Sequence, residues 1–302
     1  MRTITPRKIR EKIASMFDQR ISSFRKKWIV DRMKRWKPVY GLNQTPREKR
    51  IIVSLTSYPP RFASISLALK SLLWQTMKPD RIIVWLSCGP EDITQEMHSY
   101  EQYGITFRYH VPDYKSHKKY VFAFTEFPDD IVITVDDDVV YSPDLIASLL
   151  MVHHRFPSSV CARTVHKMTW DTQGKMLEYR KWNKRWKRCR TPSNELVAIG
   201  VGGVLYPPHC FDKLVCDSDL FFHLAPGQDD LWLKWMEMLK GIDVVWTPNN
   251  LTAPPDTEGS QIVALNAVNA NGHGNDDAIV ALSRYFGAIT PDGFVSNKNT
   301  SR

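Results

Sequence analysis

The stretch Ile131-Val-Ile-Thr-Val135-Asp136-Asp137-Asp138 is an apolar, β-branched run that stops abruptly at three consecutive carboxylates. Its five apolar-side residues have the length and composition of a fully buried strand. In an open α/β sheet, ligands sit in the crevice beyond the carboxyl ends of the strands. Three adjacent acids repel one another at neutral pH, so the triplet requires cations nearby. Side chains alternate along a strand, which places Asp136 and Asp138 on one side and Asp137 on the other. Two carboxylates on one side suit a hard divalent cation that keeps positions open for phosphate oxygens. The plainer alternative is a solvated acidic turn.

Upstream of the triplet the chain repeats one pattern. Strands are predicted over Arg50–Thr56, Arg81–Ser87 and Ile105–His110. Helices follow at Phe62–Gln75, Glu91–Tyr103 and Lys118–Phe127, and the strand Ile131–Asp136 comes next. This alternation predicts an α/β domain with a mostly parallel central sheet and helices on both faces. Downstream, Ser142-Pro143-Asp144 carries an N-cap residue, a first-position proline and a first-turn acid, so a helix is predicted to about Arg155. Val160–Val165 reads as a strand, and Leu196–Tyr206 as a strand interrupted by Gly200, Gly202 and Gly203. Interior glycines of this kind mark a bulge or a close backbone approach to a ligand. Gln228-Asp229-Asp230 precedes an apolar helix over Leu231–Leu239, and Asp243–Thr247 reads as a last strand. Asn266–Asp277, which holds His273, reads as a loop.

The net charge of +9 is unevenly spread. Residues 1–50 carry sixteen Lys and Arg against Glu11, Asp18, Asp31 and Glu48, so the basicity belongs to an N-terminal extension. Within residues 1–37, Ile9, Ile13, Phe17, Ile21, Phe24, Trp28 and Ile29 recur at helical spacing among the cations. That pattern fits an anionic membrane surface or a helix packed on its own domain; nothing else in the chain resembles a nucleic-acid module. A second basic cluster, Tyr179–Arg190, contains Trp182 and Trp186 and suits either phosphate and ring contacts or a solvated loop. No run approaches the length of an apolar membrane span, and no secretory leader pattern is recognisable. The five cysteines form no Cys-x-x-Cys pair and read as reduced thiols, so a cytoplasmic protein, peripheral at the inner face of the plasma membrane through its arm, is expected.

A strand ending in a carboxylate triplet, with an Asp-Asp pair before a helix some ninety residues later, resembles the nucleotide-sugar glycosyltransferases of the type A fold with an Asp-x-Asp motif. The resemblance covers about Arg50–Val245, and His117-Lys-Lys119-Tyr-Val-Phe with Phe127-Pro-Asp-Asp-Ile-Val-Ile-Thr-Val-Asp-Asp-Asp is similar to bacterial surface-polysaccharide transferases. It implies a Rossmann-like nucleotide half over 50–165 and an acceptor half over 166–302 of one catalytic domain, 50–302, preceded by the extension 1–49. It implies Mn²⁺ or Mg²⁺ bound by Asp138, with Asp136 nearby and His273 completing the shell. Thr56, Arg61, Lys119, Asp136 and Asp137 would face the nucleotide, and Gly202 and Gly203 the donor sugar. Gln228-Asp229-Asp230 would meet the acceptor, with Asp229 or Asp230 as general base if configuration inverts; helix-start acids are the structural alternative.

The implied reaction moves a hexose, by default from a UDP-sugar, to a glycan or lipid-linked glycan in surface polysaccharide (O-antigen or capsule) assembly. One rival is a phosphatase of the haloacid-dehalogenase type, whose Asp-x-Asp also ends an apolar strand, although that strand normally opens its domain. A non-catalytic membrane-surface protein is the other, and it leaves the acids unexplained.

Overall fold

The computed structural model describes residues 6–183, 190–248, 254–257 and 274–296, with side chains from residue 21 onward. Among these residues, a seven-stranded sheet is built on β1 (Ile51–Thr56), β2 (Arg81–Trp85), β3 (Ile105–Arg108), β4 (Ile131–Thr134), β5 (Val160–Ala162), β8 (Val204–Tyr206) and β9 (Val244–Trp246). Its order is β3-β2-β1-β4-β8-β5-β9. All neighbours are parallel except β8, which runs antiparallel to both β4 and β5. A short antiparallel pair, β6 (Val165–Lys167) and β7 (Leu196–Ala198), stands beside it.

Alternation along β1 divides the core. Ile51, Val53 and Leu55 pack beneath α2 (Ser66–Leu73), α3 (Gln95–Ser99) and α5 (Leu145–Arg155). On the other face Ile52 joins Ala123 and Phe127 at α4 (Lys118–Glu126). The larger core on that face gathers α6 (Ser218–Leu224), α7 (Asp229–Lys240) and α8 (Gly274–Phe286). Helices therefore cover both faces, as the β-α alternation requires. Strands from 50–165 and from 166–302 share this one sheet.

Several boundaries differ from the sequence reading. The helix expected over Glu91–Tyr103 is a short α3 between two 3₁₀ turns; Thr94 caps it, accepting a hydrogen bond from the Met97 N–H at 3.1 Å, and Gly104 at φ 105° ends the segment. The stretch Leu196–Tyr206 is not one strand. Its glycines form a 3₁₀ turn, Gly200–Gly202, and Gly203 at φ 87° turns the chain so that β8 enters the sheet antiparallel. Helix α5 begins at Leu145 rather than at Pro143, and the Ser142 hydroxyl bonds Asp144 instead of capping the helix. Residues 274–277, expected in a loop, are the first turn of α8, and the hairpin β10 (Gly287–Thr290) and β11 (Gly293–Ser296) that follows was not anticipated.

The N-terminal extension contains α1 (Pro6–Arg35), a 30-residue helix. Its later turns pack on the domain: Ile29 and Met33 are buried against Val140, with Leu67 and Trp74 alongside. Among the described residues no helix is long and apolar enough to cross a membrane, and Cys88, Cys161, Cys210 and Cys216 are free thiols.

Candidate functional site

The site forms where β4 ends, one residue before Val135 and two before the acids. The pleat stops at Thr134, so strict alternation does not extend through the triplet. Asp136 faces α4, where Lys119 Nζ donates to its Oδ1 at 2.7 Å. Asp137 and Asp138 instead share Arg61, whose Nη1 lies 2.7 Å from Asp137 Oδ1 and 2.8 Å from Asp138 Oδ2. The expected pairing of Asp136 with Asp138 on one side, against Asp137, is thus corrected: a turn, not a strand, carries them. Ser57 also donates its hydroxyl to Asp137, and the Tyr141 hydroxyl accepts the Asp136 backbone N–H at 2.8 Å.

The second acidic motif arrives from the far end of the chain. Lys119 Nζ also lies 2.9 Å from Asp229 Oδ2, so one buried ammonium joins the acid triplet to the start of α7. Asp230 Oδ1 accepts the Gly200 N–H at 2.9 Å. Neither acid serves as a side-chain cap of α7, whose N-cap is Gln228. Gly200 is required by this geometry: a Cβ there would meet Lys119 Nζ at 2.6 Å and Asp230 Oδ1 at 3.2 Å. Gly202 and Gly203 have packing reasons of their own, since a Cβ would meet Thr164 in the first case and Leu145 in the second.

His117 ties the start of α4 to the residues just before α7. Its Nε2 lies 2.9 Å from the Ala225 carbonyl and its Nδ1 2.7 Å from the Tyr120 hydroxyl, while its ring stacks on Phe221 at 4.2 Å. The pair of contacts defines a neutral ring with Nε2–H donating to the carbonyl and Nδ1 accepting from tyrosine. Burial pushes its pKa down to about 4, although Asp229 pulls the other way.

The charges respond to burial and to one another. Burial, then the neighbouring Asp136, push Asp138 up to about 6 against the pull of Arg61. Burial raises Asp137 as well, with Arg61 opposing. Burial would also raise Asp229, but Lys119 and then His117 outweigh it and hold that carboxyl low. Asp230 is driven up, first by burial and then by Asp229. Burial disfavours the Lys119 ammonium, yet Asp136 and Asp229 more than offset it.

The sequence reading has Arg61 and Lys119 meeting phosphate or base. In the structure both are buried and paired with carboxylates. Thr56 closes β1 and donates its hydroxyl to the Trp85 carbonyl at 2.9 Å. Trp182 is buried and donates to the Leu177 carbonyl, which favours the tucked-ring reading of its cluster; Trp186 and His273 lie outside the described residues. The sequence reading marks Gly200 as an irregularity without a partner and assigns Ser57, His117 and Tyr141 no role. His117 stands within the quoted stretch before α4, but nothing in its residue type separates it from an ordinary helix-start position.

Five carboxylates thus face two cations, an imbalance that a hard divalent ion would relieve. Among the described residues no group of three or more His, Cys, Asp and Glu side chains is arranged to hold a metal ion. Asp136 and Asp138 turn to different cations, but both are carboxylates at the end of β4, the oxygen-donor type that a hard divalent ion takes, and such an ion's remaining positions would be left to ligand oxygens and water.

Residues 60–204 match the family described as glycosyl transferase family 2. The matched stretch holds Arg61, Lys119, the acid triplet and the Gly200–Gly203 turn, and ends before α7. The match covers just under half of the chain and agrees with the mostly parallel α/β sheet described above. No curated protein matches the chain in sequence. Similar solved structures include TarS residues 1–349 from S. aureus in complex with UDP, at 17% identity and TM-score 0.45, covering 78% of this chain and 72% of that one. The mannosyltransferase PcManGT from Pyrobaculum calidifontis, in complex with GDP-Man and Mn²⁺, aligns at 13% identity and TM-score 0.43, covering 78% of this chain and 65% of its own. A CMP:2-keto-3-deoxy-manno-octonic acid synthetase complexed with CTP aligns at 13% identity and TM-score 0.41, covering 66% of this chain and 89% of that one. With every score below one half, these likenesses decide nothing about activity.

Proposed function

We propose that the chain is a metal-dependent hexosyltransferase that moves a sugar from a nucleotide-sugar donor, by preference a UDP-hexose, to a hydroxyl of a glycan or lipid-linked glycan in surface-polysaccharide assembly. The observation that carries the reading is Lys119, a buried ammonium that brings Asp136 and Asp229 to one place although 93 positions separate the two acids in sequence. A cluster made only for stability would not need five acids around two cations.

Asp136 and Asp138 would hold Mn²⁺ or Mg²⁺, which supplies Lewis-acid neutralisation of the departing diphosphate. Arg61 and Lys119 act as positioning residues: each fixes two carboxylates and keeps them from repelling one another apart. Asp230 is the general base of choice. Asp229 is paired with Lys119 and has little affinity for a proton, whereas Asp230 accepts the Gly200 N–H, feels Lys119 less than it feels burial and Asp229, and retains some exposure to solvent. A carboxylate with raised proton affinity takes a hydroxyl proton more readily than one neutralised by an ammonium. The domain division at 165, nucleotide half before and acceptor half after, belongs to the same proposal.

Calorimetry with UDP-glucose and Mn²⁺, together with turnover, tests the reading. Asp138→Asn is expected to abolish metal-dependent donor binding. Asp230→Asn is expected to keep donor affinity and lower kcat by about two to four orders of magnitude, the usual worth of a general base. Metal-independent donor binding by the native chain, or full turnover by Asp230→Asn, overturns it.

A further inference from the structure

Helix α1 carries two apolar stripes rather than one. The inner stripe, Ile29 and Met33, is buried against Val140. The outer stripe is Ile21, Phe24 and Trp28, spaced by three and four residues and therefore on one side of the helix. These side chains are 48%, 73% and 50% exposed. Arg25, beside Phe24, and Arg32 and Arg35, four and seven residues beyond Trp28, fall on or next to the same stripe and are exposed. Trp28 also lies beside Trp74, ring centroids 6.1 Å apart, so domain packing accounts for the inner stripe and part of Trp28 and leaves Ile21 and Phe24 unexplained.

A groove of about 360 Å³ opens between this stripe and the domain, lined by Phe24, Trp28 and the inner-stripe Ile29 from the helix and by Pro143, Asp144 and Arg163 from the domain. The arm that carries the stripe is strongly basic in sequence: the first fifty residues hold sixteen Lys and Arg against four acids. Exposed rings on a helix stripe, flanked by guanidinium groups, match a surface that is apolar below and anionic above. Tryptophan and phenylalanine insert at the acyl boundary while arginine meets lipid phosphate.

We infer that the outer stripe of α1, Ile21-Phe24-Trp28 with Arg25, Arg32 and Arg35, is a docking surface for an anionic phospholipid membrane. The inner stripe sits on Val140, two residues past Asp138, so docking holds the acid-bearing end of the sheet near the lipid surface. This consequence rests on the proposed transferase reading, because a lipid-linked acceptor is what such a position would serve; the docking itself does not.

Sedimentation of the full chain with vesicles tests it, using phosphatidylcholine alone and phosphatidylcholine containing about 30% phosphatidylglycerol. The native chain is expected to prefer the anionic vesicles by at least about tenfold and to lose that preference as salt rises from about 0.05 to 0.5 M. The double variant Ile21→Ser/Phe24→Ser should bind at least about tenfold more weakly with an unchanged melting temperature, since both side chains are solvent-exposed. Arg25→Glu/Arg32→Glu should weaken binding at least as far and abolish its salt dependence, and it decides the matter if the serine variant fails to fold. Equal binding to both vesicles overturns the inference. So do native-like binding by the variants, a lowered melting temperature with vesicle binding intact, and displacement of the vesicles by a DNA duplex at equal phosphate. Donor calorimetry on the same samples separates the two readings: loss of docking leaves donor affinity untouched, and absence of donor binding leaves docking untouched.

Discussion

Two buried lysines lie on helices packed against the same face of the sheet, and they have opposite structural meanings. Lys119 on α4 reaches Asp136 at the end of β4 and Asp229 at the start of α7. Lys234 on α7 pairs with Glu237, three residues away on the same helix, at 3.2 Å. Lys234 and Glu237 are 0% and 1% exposed, so they are at least as buried as Lys119. Burial of a charge is therefore not what distinguishes a site. The distinction is how far apart in the chain its partners lie: Lys119 fixes three elements relative to one another, whereas Lys234 fixes nothing that the helix has not already fixed.

The largest effect is expected where that distinction is strongest. Lys119→Met leaves Asp229 buried, and Asp136 half-buried, without their cation, and breaking a buried ion pair from one side costs about 3–5 kcal/mol. Denaturant unfolding at neutral pH should show this loss, and calorimetry should show donor binding gone. In the variant the stranded carboxyls bind protons more tightly folded than unfolded, so the penalty is complete at high pH and shrinks as pH falls. A cost below about 1 kcal/mol, or one independent of pH, would mean that Lys119 does not compensate these acids.

His117 sharpens the comparison with a buried group that carries no charge. Its folded pKa of about 4 lies below the unfolded value of 6.5. Between these values the unfolded chain binds the additional proton, so stability is complete above about pH 6.5 and is lost as pH falls toward 4, by about 3 kcal/mol. His117→Gln keeps an amide donor for the Ala225 carbonyl and cannot titrate. The difference in stability between native and variant chains should therefore shift in the variant's favour by that amount from pH 7 to pH 4. A constant difference across that range would place the histidine in contact with solvent.

How much of this could be read beforehand depends on the range of the interaction. The buried run before Asp136 and the regular β-α alternation are local patterns, and both gave the sheet and its two helical layers correctly. Asp136, Asp138, Lys119, Asp229 and Arg61 were also recognisable as ionisable residues at strand and helix ends, where ligands gather. Their partners were not legible, because pairing depends on how β4 terminates. A pleat ending at Thr134 rather than at Asp136 turned Asp138 toward Arg61, and composition does not encode where a pleat stops. The antiparallel entry of β8 had the same origin: three glycines announced an irregularity, but its direction was set by Thr164 and Leu145, which fill the space beside Gly202 and Gly203. On α1 the exposed and buried stripes overlap in sequence, so a single helical periodicity could not separate them.

The smallest effect is predicted for the other lysine. Burial pushes Glu237 up to about 7 with Lys234 pulling it back, so the acid gains little from its partner. Desolvation of two charges offsets most of their attraction, and replacing such a pair by apolar side chains of similar volume is often neutral or stabilising. Lys234→Met/Glu237→Leu should therefore leave the free energy of unfolding within about 1 kcal/mol of the native value, or raise it. Donor affinity and turnover should be unchanged, although the same helix carries Asp229 and Asp230 in its first turn. Each single substitution should be worse than the pair, and Lys234→Met increasingly so as pH rises, because Glu237 has lost the counter-charge that lowers its proton affinity. A double variant that unfolds, or that folds and loses turnover, would show that the pair positions α7, and would remove the contrast with Lys119.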